Sequence, residues 1–287
     1  MNNKFKVNLD KLELCYTTTR GNAEELINTK YREDNSLKIY STDKGEVGLK
    51  SYFVIEVKEK SEDGSLYWRR FAELSIGSSF ETLEAPTRYV WISVFNEVLY
   101  SPIYPNVSIV GYIWDIAEAL GLQFHNFTKL EIAIDTNTNY FSRAKRAIRS
   151  EAYTPIVLGR AYKERKEIIE SLIYIHTGDR ERYRTGTLSV KDKERTFELS
   201  IYDKSREILE SGKEYIAEWD SFKQIYRLEV RLNNRAIKEY STQKEKSLES
   251  LYFGLLDREL LFDMFLYFSD RALRFRKGRD SYSVIQL

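Results

Sequence analysis

The stretch Phe197-Glu-Leu-Ser-Ile-Tyr-Asp-Lys204 carries residue types that could do chemistry together. It alternates with the period of two that marks a half-buried strand. Phe197, Leu199, Ile201 and Asp203 point one way; Glu198, Ser200, Tyr202 and Lys204 point the other. A tyrosine, a lysine and a carboxylate on one polar face suit attack on a phosphodiester. Tyr202 can be the nucleophile, Lys204 can offset phosphate charge, and a carboxylate can hold a metal or take the proton. The same face also suits an ordinary amphipathic strand, so the reading depends on what lies beside it.

Two further strands supply candidates. In Lys129-Leu-Glu-Ile-Ala-Ile-Asp135 the apolar face is Leu130, Ile132 and Ile134, and Glu131, Ala133 and Asp135 form the other. Asp135 sits where the strand gives way to the turn Thr-Asn-Thr-Asn139. In Tyr226-Arg-Leu-Glu-Val-Arg-Leu232 the polar face is Arg227, Glu229 and Arg231. That face reads either as a solvated edge of self-paired charges or as a metal carboxylate among phosphate-binding arginines. Three such strands in one sheet would bring Asp135, Glu229 and Tyr202 together.

The order of these elements resembles the Rep_trans family of rolling-circle replication initiators and related plasmid and phage replication proteins. The matching order is an Ile-Ala-Ile-Asp strand (132–135), an Arg/Lys-rich helix (141–149), Leu172-Ile-Tyr-Ile-His-Thr-Gly-Asp179, the Ile-Tyr-Asp-Lys strand (201–204) leading into a charged helix, and Arg-Leu-Glu-Val-Arg-Leu (227–232). The resemblance covers roughly residues 127–240, and the strand 89–100 with its following helix fits the upstream half. It implies an enzyme that nicks and rejoins DNA at an origin through a 5′-phosphotyrosine link, with a divalent metal, Mg²⁺ or Mn²⁺. Carried over by motif, Tyr202 is the nucleophile and Lys204 lies beside the phosphate. Asp135 and Glu229 are the metal ligands, with Glu131 and Glu198 as second choices. The resemblance further implies double- or single-stranded origin DNA, a host helicase and a second copy of the chain as partners. Replication endonucleases of another group use a His-hydrophobe-His metal motif. This chain has two histidines, His125 and His176, 51 positions apart, so that motif is impossible. Tyr174 and Tyr183 are rival nucleophiles.

Net charge is +1, less basic than many nucleic-acid proteins, but the distribution is uneven. Arg143, Lys145, Arg146 and Arg149 form one cluster; Arg180, Arg182 and Arg184 another; Arg274 and Arg276 belong to a third between 271 and 279. With Arg227 and Arg231 these are the candidate DNA contacts. Tyr183, Phe275 and Tyr282 lie among them, and such rings either stack on unpaired bases or join the core.

One cysteine, Cys15, excludes an internal disulfide and suits a reducing, cytoplasmic setting. The first residues lack an apolar signal core, and no run approaches the ~18 apolar residues of a membrane span. Gly45 and Gly48 lack the GK[ST] sequel of a phosphate loop, and no cysteine cluster suits zinc.

The elements that must position the candidates fall into two similar halves. Strands at 9–16, 47–59, 66–76 and 89–100 with helices at 23–29 and 108–121 make the first. Strands at 127–135, 171–176, 195–203 and 224–232 with helices at 141–151 and 234–241 make the second. Asn22 is a possible helix cap, and Asp63-Gly64 marks a hairpin. Helices at 245–252 and 256–268 close the chain, the last suited to core or dimer contact. The expected fold class is α+β: two ferredoxin-like or RRM-like halves (1–122 and 123–243) with largely antiparallel sheets packed as one platform, then a C-terminal helical segment (244–287). A catalytically inert DNA-binding protein of the same fold and a conjugative relaxase are the alternative functions.

Overall fold

Alternating segments become long strands, and the amphipathic 3.6-period segments become the helices that cover them. The computed structural model describes residues 5–42, 50–61, 63–77, 87–100, 106–162, 173–177, 186–212, 214, 216, 224–255 and 257–287. In chain order the strands are β1 (Phe5–Thr19), β2 (Tyr31–Glu33), β3 (Leu37–Ser41), β4 (Lys50–Lys60), β5 (Leu66–Gly77), β6 (Thr87–Val94), β7 (Gln123–Thr136), β8 (Thr154–Val157), β9 (Arg160–Ala161), β10 (Ile173–Thr177), β11 (Gly186–Lys191), β12 (Phe197–Asp203), β13 (Tyr226–Asn233), β14 (Leu273–Lys277) and β15 (Asp280–Ser283). The helices are α1 (Arg20–Thr29), α2 (Asn96–Leu99), α3 (Asn106–Ala119), α4 (Tyr140–Arg149), α5 (Lys204–Ser211), α6 (Asn234–Gln243), α7 (Leu248–Gly254) and α8 (Arg258–Ala272). Among the described residues no helix is long and apolar enough to cross a membrane.

The chain forms two compact units. One comprises Met1–Asp10, Leu130–Ser247 and Gly254–Leu287; the other comprises Lys11–Lys129 and Leu248–Phe253. The first unit is thus assembled from three stretches of chain, and the earliest stretch supplies Asp10. Its large sheet has the order β10-β11-β12-β13-β7-β1, and β15-β14-β8-β9 form a small second sheet. The large-sheet pairings β10–β11, β11–β12 and β12–β13 are antiparallel. The apolar face of β7, β12 and β13 buries Leu130, Ile132, Ile134, Leu199, Ile201, Leu228 and Val230. Helices α4, α6 and α8 pack against β12 and β13. At ~1.5–3 kcal/mol per fully buried aliphatic side chain, that face anchors the strands that carry the candidate residues.

The other unit has the strand order β7-β1-β6-β5-β4-β3-β2, with antiparallel pairing from β1 through β6 to β2. The Asp63-Gly64 turn closes the β4–β5 hairpin with Gly64 at φ +86, a conformation glycine adopts without steric cost. Both units are α+β with antiparallel sheets.

Several local expectations are corrected. Helix α1 begins at Arg20 with Thr19 as its cap; the Asn22 amide instead donates to Thr18 Oγ1 (2.6 Å) and the Leu120 carbonyl (2.7 Å). The strand expected over 89–100 stops at Val94, and 96–99 turn into helix. Strand β11 was not expected; it pairs with both β10 and β12. The closing segment is not all helical. It includes the β14–β15 hairpin, in which Leu273 and Phe275 turn inward while Arg274 and Arg276 turn out, followed by a short 3-10 turn at Val284–Gln286. Arginine in alternate positions hid that strand behind a basic cluster.

Candidate active site

The candidate residues lie in the first unit, on the face of β12, β13, β7 and β1 opposite the aliphatic core. Strands β12 and β13 pair with Glu198 opposite Arg231, Ser200 opposite Glu229 and Tyr202 opposite Arg227. Tyr202 therefore meets Glu229 diagonally, a distance long side chains span. Its hydroxyl donates to Glu229 Oε2 at 2.8 Å. Glu229 is buried, and its Oε1 accepts from Arg231 Nε at 2.6 Å.

Burial, and then the Glu229 carboxylate, hold the Tyr202 phenol well above its ordinary value; the Arg227 guanidinium opposes this in part. The phenol is consequently protonated in the resting protein. Attack by its oxygen requires the proton to leave as the new bond forms, and Glu229 Oε2 is the acceptor at hydrogen-bond distance.

Arg227 is wholly buried and ties three strands together. Its Nε donates to Asp135 Oδ1 (2.6 Å), its Nη2 to Asp135 Oδ2 (2.6 Å) and its Nη1 to Asp10 Oδ1 (2.5 Å). Asn8 Nδ2 also donates to Asp135 Oδ2, at 2.8 Å. Two expectations change here. Asp135, expected as a metal ligand, is fully buried with its oxygens held by Arg227 and Asn8, and it is not among the carboxylates that converge. Arg227, expected to contact DNA, has no exposed surface. The pair is a fork-to-fork ion pair that fixes β13 against β7.

The carboxylates that do converge are Asp10, Glu131 and Glu229. One oxygen from each lies within 4.8 Å of the others. Asp10 and Glu131 are half-buried and Glu229 is buried. All three are hard oxygen donors of the kind Mg²⁺ or Mn²⁺ takes. Asp10, Glu131, Asp135 and Glu229 bring four negative charges against the two positive charges of Arg227 and Arg231. Among these six groups a divalent cation would restore neutrality, so donor type and charge both fit one. Glu198 stands apart from this cluster, beside Lys191 (3.4 Å) and Arg231 (3.9 Å).

Asp10 was missed, although a signal existed. Asn8 and Asp10 share the parity of Leu12, Leu14 and Tyr16 on β1, and all three of those are buried. A polar pair opening the inward face of a strand is the pattern that would have found it.

Lys204 stands not on β12 but at the first position of α5. Asp203 caps that helix, accepting from Arg206 N at 3.3 Å. Lys204 is buried, donates to Glu207 Oε2 at 2.7 Å, and lies with Nζ 5.8 Å from the Tyr202 ring centre. Burial, and then Arg227, push its ammonium below the ordinary lysine value. Replacing Asp203 with Ala removes the cap that starts this helix. The free energy of unfolding in urea should fall by ~1 kcal/mol, and an unchanged midpoint would mean the cap contributes nothing.

The expected DNA contacts distribute unevenly. On α4, Arg146 and Arg149 are exposed, while Arg143 and Lys145 are half-buried near the rings of Tyr140 (5.4 Å) and Phe141 (5.7 Å). Arg274 and Arg276 are exposed on β14, and Arg231 is exposed at the rim of the carboxylate cluster. Arg180, Arg182, Arg184 and Tyr183 lie outside the described residues. Tyr174 is on β10, opposite Ser189 of β11.

No family model and no curated protein matches this chain. Among solved structures, a rolling-circle replication initiator protein from Geobacillus stearothermophilus superposes with a TM-score of 0.49 and 10% identity, covering 96% of this chain and 89% of that one.

Proposed function

We propose that this protein is a replication initiator that nicks and rejoins one DNA strand at a rolling-circle origin. The observation that carries the reading is the contact between the Tyr202 hydroxyl and Glu229, a member of the Asp10–Glu131–Glu229 carboxylate cluster. The order of motifs that resembles the Rep_trans family, which includes the strands of Tyr202 and Glu229, supports it. In the proposed step the Tyr202 oxygen bonds to the scissile phosphorus, and the bond from phosphorus to the 3′-oxygen breaks. The phenolic proton passes to Glu229 Oε2, the departing 3′-oxygen takes a proton from water, and the products are a 5′-phosphotyrosine link and a free 3′-hydroxyl. Rejoining is the reverse displacement by a 3′-hydroxyl.

Asp10, Glu131 and Glu229 would hold Mg²⁺ or Mn²⁺, which supplies Lewis-acid polarisation of a phosphoryl oxygen when bound. Arg231 orients Glu229 and offers an exposed cation beside the charge that develops. Lys204, held by Glu207, is a positioning residue beside the Tyr202 ring. Arg146, Arg149, Arg274 and Arg276 are the proposed phosphate contacts. By the same resemblance, the protein would work in the cytoplasm with a host helicase and as a homodimer, on a plasmid or phage replicon.

Incubation with supercoiled DNA bearing the cognate origin tests the reading. Open circles and a detergent-stable protein–DNA adduct should form with Mg²⁺ or Mn²⁺ and cease with chelator. Duplex binding should persist in chelator and weaken steeply with salt, because cations and not carboxylates meet the phosphates. Binding without nicking under any metal would leave the catalytically inert DNA-binding protein as the correct reading. Nicking at a transfer origin instead would favour a relaxase.

A further inference from the structure

The polar face of β13, β7 and β1 holds a closed circuit of hydrogen bonds. Asn8 of β1 donates to Asp135 of β7 at 2.8 Å. Asp135 receives two bonds from Arg227 of β13, each 2.6 Å long. Arg227 then returns to β1 through Nη1, which donates to Asp10 Oδ1 at 2.5 Å. Because Nε and Nη2 are committed to Asp135, the planar guanidinium cannot turn, and Nη1 is aimed by the rest of the fork.

What Nη1 meets is the carboxylate cluster. Besides Asp10, it lies 3.9 Å from Glu229 Oε2. One nitrogen therefore serves two of the three acids whose oxygens converge within 4.8 Å. The third acid, Glu131, has Arg231 Nε at 3.8 Å. The two arginines differ in their surroundings. The Arg231 side chain is 45% exposed, and that of Arg227 is 0% exposed. Solvent and salt screen the first charge far more than the second. Three carboxylates drawn this close repel one another, and the buried guanidinium is a fixed charge that opposes the repulsion. A carboxylate offers about four lone-pair sites, so the bond from Arg227 leaves Asp10 able to ligate an ion.

We infer that Arg227 is the positioning residue of the metal site: anchored by Asp135, it sets Asp10 beside Glu131 and Glu229 so that the three carboxylates take a divalent cation tightly. The inference rests on the metal-binding part of the proposed function and adds the residue that governs it. Hydrogen-bonding partners behind metal ligands typically account for roughly 10- to 100-fold in metal affinity. In this role Arg227 touches neither DNA nor the reacting oxygen; it acts through Asp10. The opposing reading makes Arg227 a strut that only joins β13 to β7 and β1. The two readings differ in one measurable respect. Removing a strut lowers stability but leaves the metal affinity of the folded protein unchanged.

The test titrates Mn²⁺ by calorimetry into the full chain without DNA, well below the melting temperature of each variant. Arg227→Lys keeps the charge but replaces the fork with a single point, which cannot meet Asp135 twice and Asp10 once. The double exchange of Arg227→Gln with Asp135→Asn removes both fully buried charges together, so it supplies a folded protein even where Arg227→Lys melts. Asp135→Asn alone is the control, because it disturbs the same circuit while keeping an acceptor for Arg227 and the bond to Asp10. The Kd for Mn²⁺ should stay close to wild type in the control and weaken roughly 10- to 100-fold in both Arg227 variants. Unchanged affinity in folded Arg227 variants would reduce the residue to a strut and overturn the inference. Tighter binding would show that its charge only repels the ion, and an equal loss in the control would assign the effect to packing; either result overturns it too. If the wild type takes no Mn²⁺, the metal reading falls and this inference falls with it, while the Tyr202 chemistry stands on its own test.

Discussion

Tyr202→Phe is expected to abolish the covalent protein–DNA adduct and bring nicking to background while leaving origin binding nearly intact. The substitution removes one oxygen. That oxygen is both the proposed nucleophile and the donor to Glu229 Oε2. A hydrogen bond to a charged acceptor contributes ~1.5–3 kcal/mol, so a modest loss of stability accompanies the loss of activity. Glu229 keeps its bond from Arg231, so its carboxylate is not orphaned. The measurement is a labelled oligonucleotide run under denaturing conditions, with a melting curve to confirm folding. The adduct and the nick should disappear together, because one bond produces both. An adduct that survives would move the nucleophile to another tyrosine, and Tyr174 and Tyr183 would be tested next.

Much of this site could be read in the chain before its structure. Strict alternation in 197–203 and 226–232 gave the correct faces for Tyr202, Glu229 and Arg231, because a strand that buries one side cannot slip register without exposing its aliphatic residues. Alternation alone could not rank the carboxylates on that face. Asp135 and Glu131 share one face of β7 by parity, yet Arg227 claims the first and leaves the second among the converging acids. The choice depends on which strand lies next to β7, and β1 reaches it only through a contact more than a hundred residues apart in sequence. Asp10 carried a signal of its own in the parity it shares with Leu12 and Leu14, but its place beside Glu131 and Glu229 depends on the same long-range pairing. Lys204 illustrates a shorter-range failure. Asp203 is the last residue of β12 and at the same time the cap of the next helix, so the alternation stops there and Lys204 becomes the first residue of α5. Among the expected DNA contacts, Arg227 departs from its expectation, since it is fully buried.

Glu229→Gln and Asp135→Asn should separate the two roles that buried carboxylates play on this face. Each exchange removes one negative charge with almost no change of shape. Asp135→Asn strikes the fork that neutralises a fully buried guanidinium. Breaking one side of a buried ion pair costs up to ~3–5 kcal/mol, and the bond from Arg227 to Asp10 keeps the loss toward the lower end. A loss of 1 kcal/mol lowers the melting temperature by ~2–4 °C in a domain of this size, so a fall of roughly 10 °C is expected. Glu229→Gln can keep both neighbours, its amide oxygen accepting from Arg231 and its amide nitrogen donating to the Tyr202 oxygen. Its larger effect is on the Asp10–Glu131–Glu229 cluster, where one of three charged donors is gone. Wild type should be stabilised by Mn²⁺ or Mg²⁺ in a melting experiment, as any ligand of the folded state stabilises it. Asp135→Asn should melt lower but keep that gain and, below its melting temperature, keep nicking. Glu229→Gln should lose the gain and the nicking together, and Glu131→Gln should behave likewise. If Asp135→Asn melts like wild type yet loses the metal effect, Asp135 is the ligand and its pairing with Arg227 gives way when metal binds. Nicking that persists in Glu229→Gln with chelator present would keep the tyrosine chemistry and remove the metal from it.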